Sequence, residues 1–171
     1  MRRHLKYLQY VLKHKYFVFI ACLKLGVNPW QALIHDWHKF LPSEWFAYAY
    51  TFYNADGTKR YKENQAFSMA WNFHQKRGKH HWQYWLITWD RGVTEPLDMP
   101  SCYIREMIAD WWGAGKTING NWDAVTWYEK QKNKMILSPV TRRLLERWLY
   151  ESEASFETPA LLAKRRRILV Y

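Results

Sequence analysis

The chain has 171 residues, 26 Lys plus Arg against 15 Asp plus Glu, a formal net charge of +11, and 49% apolar and 19% aromatic residues. A chain of that size suits one domain with a buried core, and twelve Trp and twelve Tyr leave no aromatic-poor stretch for a linker or a disordered tail. The charge draws anions such as nucleotides, nucleic acid or phosphorylated metabolites, without choosing among them.

The first element is a helix over 3–25. Leu5, Leu8, Leu12, Tyr16, Phe19 and Leu23 recur at three- and four-residue spacing, and Tyr7, Val11, His14, Val18, Ala21 and Leu25 make a second stripe opposite. Two stripes predict burial on two sides, with His14 inside the second. Asn28-Pro29, Ser138-Pro139 and Thr158-Pro159 each put a capping residue before proline, which marks three further helix starts. Helices are predicted at 29–39, 43–53, 59–77, 80–89, 100–112, 122–134, 139–153 and 159–167. Turns separate them at Asn54-Ala55-Asp56-Gly57, Gly78, Asp90-Arg91-Gly92 and Asn119-Gly120-Asn121. No segment alternates long enough for a strand and no repeat recurs, so the expectation is a single all-α, compact multi-helix domain over 1–171.

The longest apolar run, 16–23, is well short of the roughly 20 residues of a membrane span and is bracketed by lysines, so no membrane helix is expected. No small-residue cleavage site follows it, as a secretory signal would require. Cys22 and Cys102 are too few for a disulfide framework and lack a CxxC partner, which points to a reducing, cytoplasmic setting. The run Lys164-Arg165-Arg166-Arg167 is a candidate phosphate patch or a solvated helix end.

Six of the seven histidines, His14, His35, His38, His74, His80 and His81, fall where helices can bring them together. A lone histidine on an apolar face is more often a hydrogen-bonded core residue, but these have company. His35-Asp36 joins an imidazole to a carboxylate at the end of an apolar helix, a pairing suited to a divalent first-row metal. Farther on, His74 closes one helix, Gly78 breaks it, and His80-His81-Trp82 opens the next. Neighbours on a helix point about 100° apart, so His80 and His81 need not both face one metal. The favoured pair is His74 with His81.

His35-Asp36-x-x-Lys39-Phe40 resembles the HDxxK signature of the HD-domain superfamily, all-helical metal-dependent phosphohydrolases with a smaller branch of di-iron oxygenases. In that superfamily a helix carrying the first histidine leads through a Leu-Gly turn to the HD pair, as His14 leads through Leu25-Gly26 here. Its last ligand is an aspartate on a later helix, a pattern that Ile108-Ala109-Asp110 matches. The resemblance covers roughly 10–115 and implies that His14, His35, Asp36 and Asp110 hold one ion of Mn, Fe, Co, Ni or Zn. If there are two ions, Asp36 bridges them and His74, His80 and His81 extend the site. HDxxKFxPxE together with HHWxYW is also similar to a family of small bacterial and phage proteins with no assigned reaction.

The expected function is metal-dependent hydrolysis of a nucleotide or other phosphate ester. Lys39 would face the substrate phosphate or bond near the metal, and Glu44 would act as general base, unless it only favours its helix dipole. Arg77, Lys79, Lys76 and Arg105 are candidate phosphate contacts, and Trp37, Trp82, Trp85, Trp111 and Trp112 either stack a base or pack the core. A di-iron oxygenase and a basic nucleic-acid-binding protein are the alternatives. Gly113-Ala114-Gly115-Lys116-Thr117 ends like a phosphate-binding loop, but position 110 is Asp where that loop needs glycine, so it reads as a helix terminus. The segment 121–171 would add packing helices, a lid or an oligomer contact.

Overall fold

A computed structural model describes residues 1–156; the predicted helix at 159–167 and the basic run within it lie outside the described residues. Seven α-helices follow in order: α1 (Arg2–Lys24), α2 (Pro29–Ile34), α3 (Pro42–Phe52), α4 (Gln65–Arg77), α5 (Ser101–Asn119), α6 (Val125–Gln131) and α7 (Pro139–Phe156). The fold is all-α, and no helix among the described residues is long and apolar enough to cross a membrane. Both cysteines are free, Cys22 within the core.

Helices α1 and α5 pack side by side along the middle, and the other helices build on them. Their approach depends on Gly113, where an added Cβ would lie 2.5–2.8 Å from the side chain and backbone of Val18. The glycine-rich stretch therefore lies inside α5, not at its end as predicted. The helix closes at Gly120, whose φ of +79° is the left-handed closing conformation that glycine adopts without cost.

Only the second stripe of α1 is buried: Tyr7, Val11, His14, Val18 and Ala21 face the core, while Leu5, Leu12, Tyr16 and Leu23 of the first are exposed. Two apolar clusters fill the interior. Val18, Ile104, Ile108, Trp112, Tyr128, Leu145 and Leu149 belong to the larger, between α1, α5, α6 and α7. Tyr7, Val11, Tyr48 and Ala70 belong to the smaller, between α1, α3 and α4. His14 sits one turn from Val11 and one turn from Val18, at the seam between them.

Besides α5, three predicted helices end or begin differently. Helix α2 stops at Ile34, and Asp36 takes a left-handed φ of 55° before a short 3-10 turn over Trp37–Phe40. Helix α4 starts at Gln65, behind the Asn64 side chain that caps Phe67 N–H, because 59–64 is extended and hydrogen-bonds back to the end of α3. The helix expected at 80–89 is a 3-10 turn, Trp82–Trp85, followed by an antiparallel hairpin, β1 (Leu86–Thr88) with β2 (Thr94–Pro96). Residues Ile87, Thr88, Val93 and Thr94 are β-branched and flank a turn with Gly92 at φ +80°, which is strand and hairpin chemistry too short to alternate visibly.

Candidate metal centre

The HD pair stands at the seam because α2 ends there. The left-handed turn at Asp36 lets His35 and Asp36 present neighbouring side chains to one point, which continued helix would direct about 100° apart. Lys15 holds the turn by donating to the carbonyls of Leu33 and His35 at the open end of α2.

Four side chains from three segments form the first group: His14 of α1, His35 and Asp36 of the turn, and Asp110 of α5. His14 Nε2 lies 3.1 Å from Asp110 Oδ1 and 3.4 Å from Asp36 Oδ2. His35 Nε2 lies 3.3 Å from Asp36 Oδ2 and 3.5 Å from Asp110 Oδ1. A second group, Asp36, His74, His80 and His81, gathers on the other carboxylate oxygen, with His80 Nε2 3.4 Å and His74 Nε2 3.8 Å from Asp36 Oδ1. Asp36 thus serves both groups, one oxygen to each. His80 and His81 converge because the chain there is a turn and extended backbone, not the helix predicted. Gly78 leaves room for them: a Cβ on it would lie 2.8 Å from His81 Cδ2 and 3.0 Å from His80 Cε1.

These atoms lie close without satisfying each other. Nε2 of His14, His35, His80 and His81 and both oxygens of Asp36 are buried with no aligned hydrogen-bond partner. Unpaired buried polar groups are costly; Lys39 offsets one Asp36 oxygen from 2.6 Å, and a shared cation would satisfy the others. For ligand bonds of about 2.0–2.2 Å, tetrahedral or octahedral edges come to about 2.8–3.6 Å, which spans the first group's separations. The donors are imidazole nitrogen and carboxylate oxygen with no thiolate, a set suited to Mn, Fe, Co, Ni or Zn. The residues present fit one or two divalent cations.

Two glutamates back the imidazoles. Glu106 of α5 lies 2.9 Å from His35 Nδ1 and 3.4 Å from His80 Nδ1, and it accepts from Gln31 at 2.6 Å. Glu44 Oε2 lies 3.1 Å from Nδ1 of both His38 and His74, while its Oε1 accepts from Arg77 at 2.7 Å. Both carboxyls are pushed down to about 2: burial opposes ionisation, but His35 and His80 at Glu106, and His38 and His74 at Glu44, outweigh it. Each glutamate leaves the Nε2 atoms of its histidines turned to the cluster.

Burial and neighbours set the charges. Burial resists ionisation of Asp36 and Asp110, but His35, Lys39 and His74 at the first, and His14 and His35 at the second, hold both well below the carboxylate range. His35 is raised well above the usual imidazole value because Asp36, Asp110 and Glu106 overcome its burial. His74 is pushed down to about 4, chiefly by burial, and His81 well below its ordinary value by burial and by His80 and His74. These two are neutral near pH 7, the state in which imidazole binds metal.

Lys39 Nζ lies 2.6 Å from Asp36 Oδ2, the second of its two expected placements, near the cluster and paired with a carboxylate. Glu44 is fully buried with both oxygens engaged, so it holds His38 and His74 and has no free oxygen for a general base. Arg77 is committed to Glu44 and Ser43, Lys76 to the Gln83 carbonyl, and Arg105 to the Leu25 carbonyl and the face of Trp148, away from the cluster. Lys79 lies over the Tyr103 ring. Trp112 is core, its Nε1 donating to Ser152, and Trp85 packs on the larger cluster. His38, noted for its position but absent from the expected ligand set, points Nε2 at Asp36 Oδ1 from 3.9 Å. Glu106 was missed altogether; its signal is a spacing of four residues from Asp110 on one helix face.

No curated protein and no solved structure matches the chain. A family model described as "Family of unknown function (DUF5662)" matches residues 3–151, α1 through most of α7, and the chain belongs to that family.

Proposed function

We propose that this protein is a metal-dependent phosphohydrolase of HD-domain type that cleaves a nucleotide or other phosphate ester at a two-cation centre. The observation that carries the reading is Asp36, buried between two groups of ligand atoms with one oxygen turned to each. The order of ligands along the chain supports it: a histidine on the first helix, an HD pair at the end of the second, an aspartate on a later one. Cations held there by His14, His35, Asp36 and Asp110 and by His74, His80 and His81 would supply Lewis-acid activation of water and charge stabilisation at a phosphoryl oxygen.

The chain's residues do the rest. Lys39 keeps Asp36 ionised and in place, Glu106 and Glu44 fix the imidazole orientations, and burial excludes bulk water from the ligand atoms. The test is Asp36→Ala. Metal content by elemental mass spectrometry and phosphate release across a phosphoester panel should both be lost, with helical circular dichroism retained. Wild-type metal and turnover in that variant would sink the assignment. Two irons with oxygen uptake and no phosphate release would instead make the protein an oxygenase. Salt-sensitive nucleic-acid binding that survives chelation and Asp36→Ala would make it a nucleic-acid-binding protein.

A further inference from the structure

A cavity of 470 Å³ runs beside α5 and α6, within the size range of small-molecule sites. Asp110 and His81 line it, one from each group of metal ligands, so a molecule in the cavity reaches both cation positions from one end. Asp110 and Asn119 both line it, and their separation along α5 makes it roughly 13 Å long. Away from the ligands the walls are indoles: Trp82, Trp111, whose ring already packs against Trp127 and Tyr128, and Trp127, which is 42% exposed although it faces a concave surface. The Gln83 carboxamide oxygen on the same wall is buried without a donor. Lys130 lines the cavity and makes no ion pair or hydrogen bond among the described residues.

A second recess, 540 Å³, reaches His35 and His80 from the other side. Its lining holds Asp36, Lys79 over the Tyr103 ring, and the indoles of Trp30 and Trp37, together with Glu106, which already holds both imidazoles, and Arg77, which is bound to Glu44. Both recesses offer a basic side chain and indoles, and each holds a carboxylate, Asp123 in the first and Glu106 in the second; what favours the α5–α6 cavity is its reach to Asp110 and His81 and the buried Gln83 oxygen that has no donor.

We infer that the α5–α6 cavity is the substrate pocket and that it takes a mononucleotide, the phosphate toward Asp110 and His81 and the planar ring among Trp82, Trp111 and Trp127. This rests on the phosphohydrolase reading and adds the location and class of the substrate. Indole faces stack any nucleobase, and the unpaired Gln83 oxygen accepts a ring or exocyclic N–H. On this account α6, beyond the HD-like part of the chain, is the specificity wall.

The test compares binding of AMP with that of ribose 5-phosphate, which lacks the ring, by calorimetry on protein as purified, with metal content measured on the same samples. AMP is expected to bind at least about tenfold more tightly, and Trp127→Ala should remove most of that margin while metal content and helicity stay unchanged. Trp37→Ala, in the other recess, should leave AMP affinity unaltered. Equal binding of the two ligands by the wild type, or loss of AMP binding in Trp37→Ala with none in Trp127→Ala, would overturn the inference. A ring-dependent margin that Trp127→Ala abolishes, in protein without metal or turnover, would support the pocket and overturn the hydrolase reading instead.

Discussion

Glu106 carries more of the centre than its absence from the sequence reading suggests. One carboxylate contacts Nδ1 of His35, in the first ligand group, and of His80, in the second, so it sets the orientation of a ligand on each side of Asp36. Glu106→Ala should lower metal affinity by about 10–100-fold, the usual cost of losing such a partner, while Glu106→Gln should recover part of it because its amide oxygen still accepts one hydrogen bond. A competitive chelator titration measures both; wild-type affinity in Glu106→Ala would remove the role. At this scale the sequence disclosed candidate ligands by type and neighbour, as at His35-Asp36. It hid Glu106 because a carboxylate on a helix face usually meets water. It likewise left Glu44 open to reading as a base, since only the folded contacts show both oxygens engaged. Cys22 gives an independent check on burial. Burial foremost, helped by Glu106 and Asp110 against His35, pushes its thiol from about 9 up to about 12. The folded chain therefore holds this proton more firmly than the unfolded one. The resulting stability is complete below about pH 9 and is lost as pH rises towards about 12. Iodoacetamide at pH 8.5 should leave Cys22 unmodified until denaturant unfolds the chain, as peptide mass spectrometry would show; rapid labelling of the native protein would contradict the buried placement.

The elements owe their positions to contacts that spacing alone discloses unevenly. The long helices were legible because three- and four-residue recurrence and proline caps are local signals, and α1, α3, α5 and α7 all form where those signals lie. Which stripe of α1 is buried was not legible, because Leu5 and Leu12 are as apolar as Val11 and Val18 and only packing against α5 distinguishes them. The stretch 80–89 was misread as helix for a related reason: its aromatic density mimics a helical face, while the glycine turn before it, correctly read at Gly78, is required by the two imidazoles beside it. Gly113 makes the same point within α5. In isolation alanine would favour the helix by about 1 kcal/mol. Here its Cβ would meet the Val18 backbone, so Gly113→Ala should destabilise by about 1–3 kcal/mol, the range for forced overpacking. Urea denaturation decides the sign. Stabilisation would mean that α1 and α5 are not held this close, and with them His14 and Asp110, which lie one turn away on the same two helices.

For the molecule as a whole, the centre lies where the two apolar clusters meet, so its charge state and the fold's stability are linked. Five histidines and two aspartates at this seam, several with no aligned partner, form an interior that apolar packing alone does not favour. The apolar clusters on either side set the all-α architecture, and that part was readable from composition and periodicity. The seam was readable only as a list of residue types, since the turn at Asp36 and the meeting of α1, α4 and α5 are tertiary facts. A ligand that binds the folded state and not the unfolded one stabilises it by mass action, about 2.7 kcal/mol at a free concentration one hundredfold above its dissociation constant. For a chain of this length each kcal/mol moves the midpoint by roughly 2–4 °C. Removing metal with a chelator and dialysing the chelator away should therefore lower the thermal midpoint by roughly 5–10 °C, and restoring the metal should reverse it. Calorimetry on the wild type and on Asp36→Ala separates this from chelator effects elsewhere, because the variant, unable to bridge, should show little response to either step. A wild-type midpoint unmoved by chelation, in protein shown to have lost its metal, would mean that the seam is stable on its own and that the cations serve chemistry without supporting the fold.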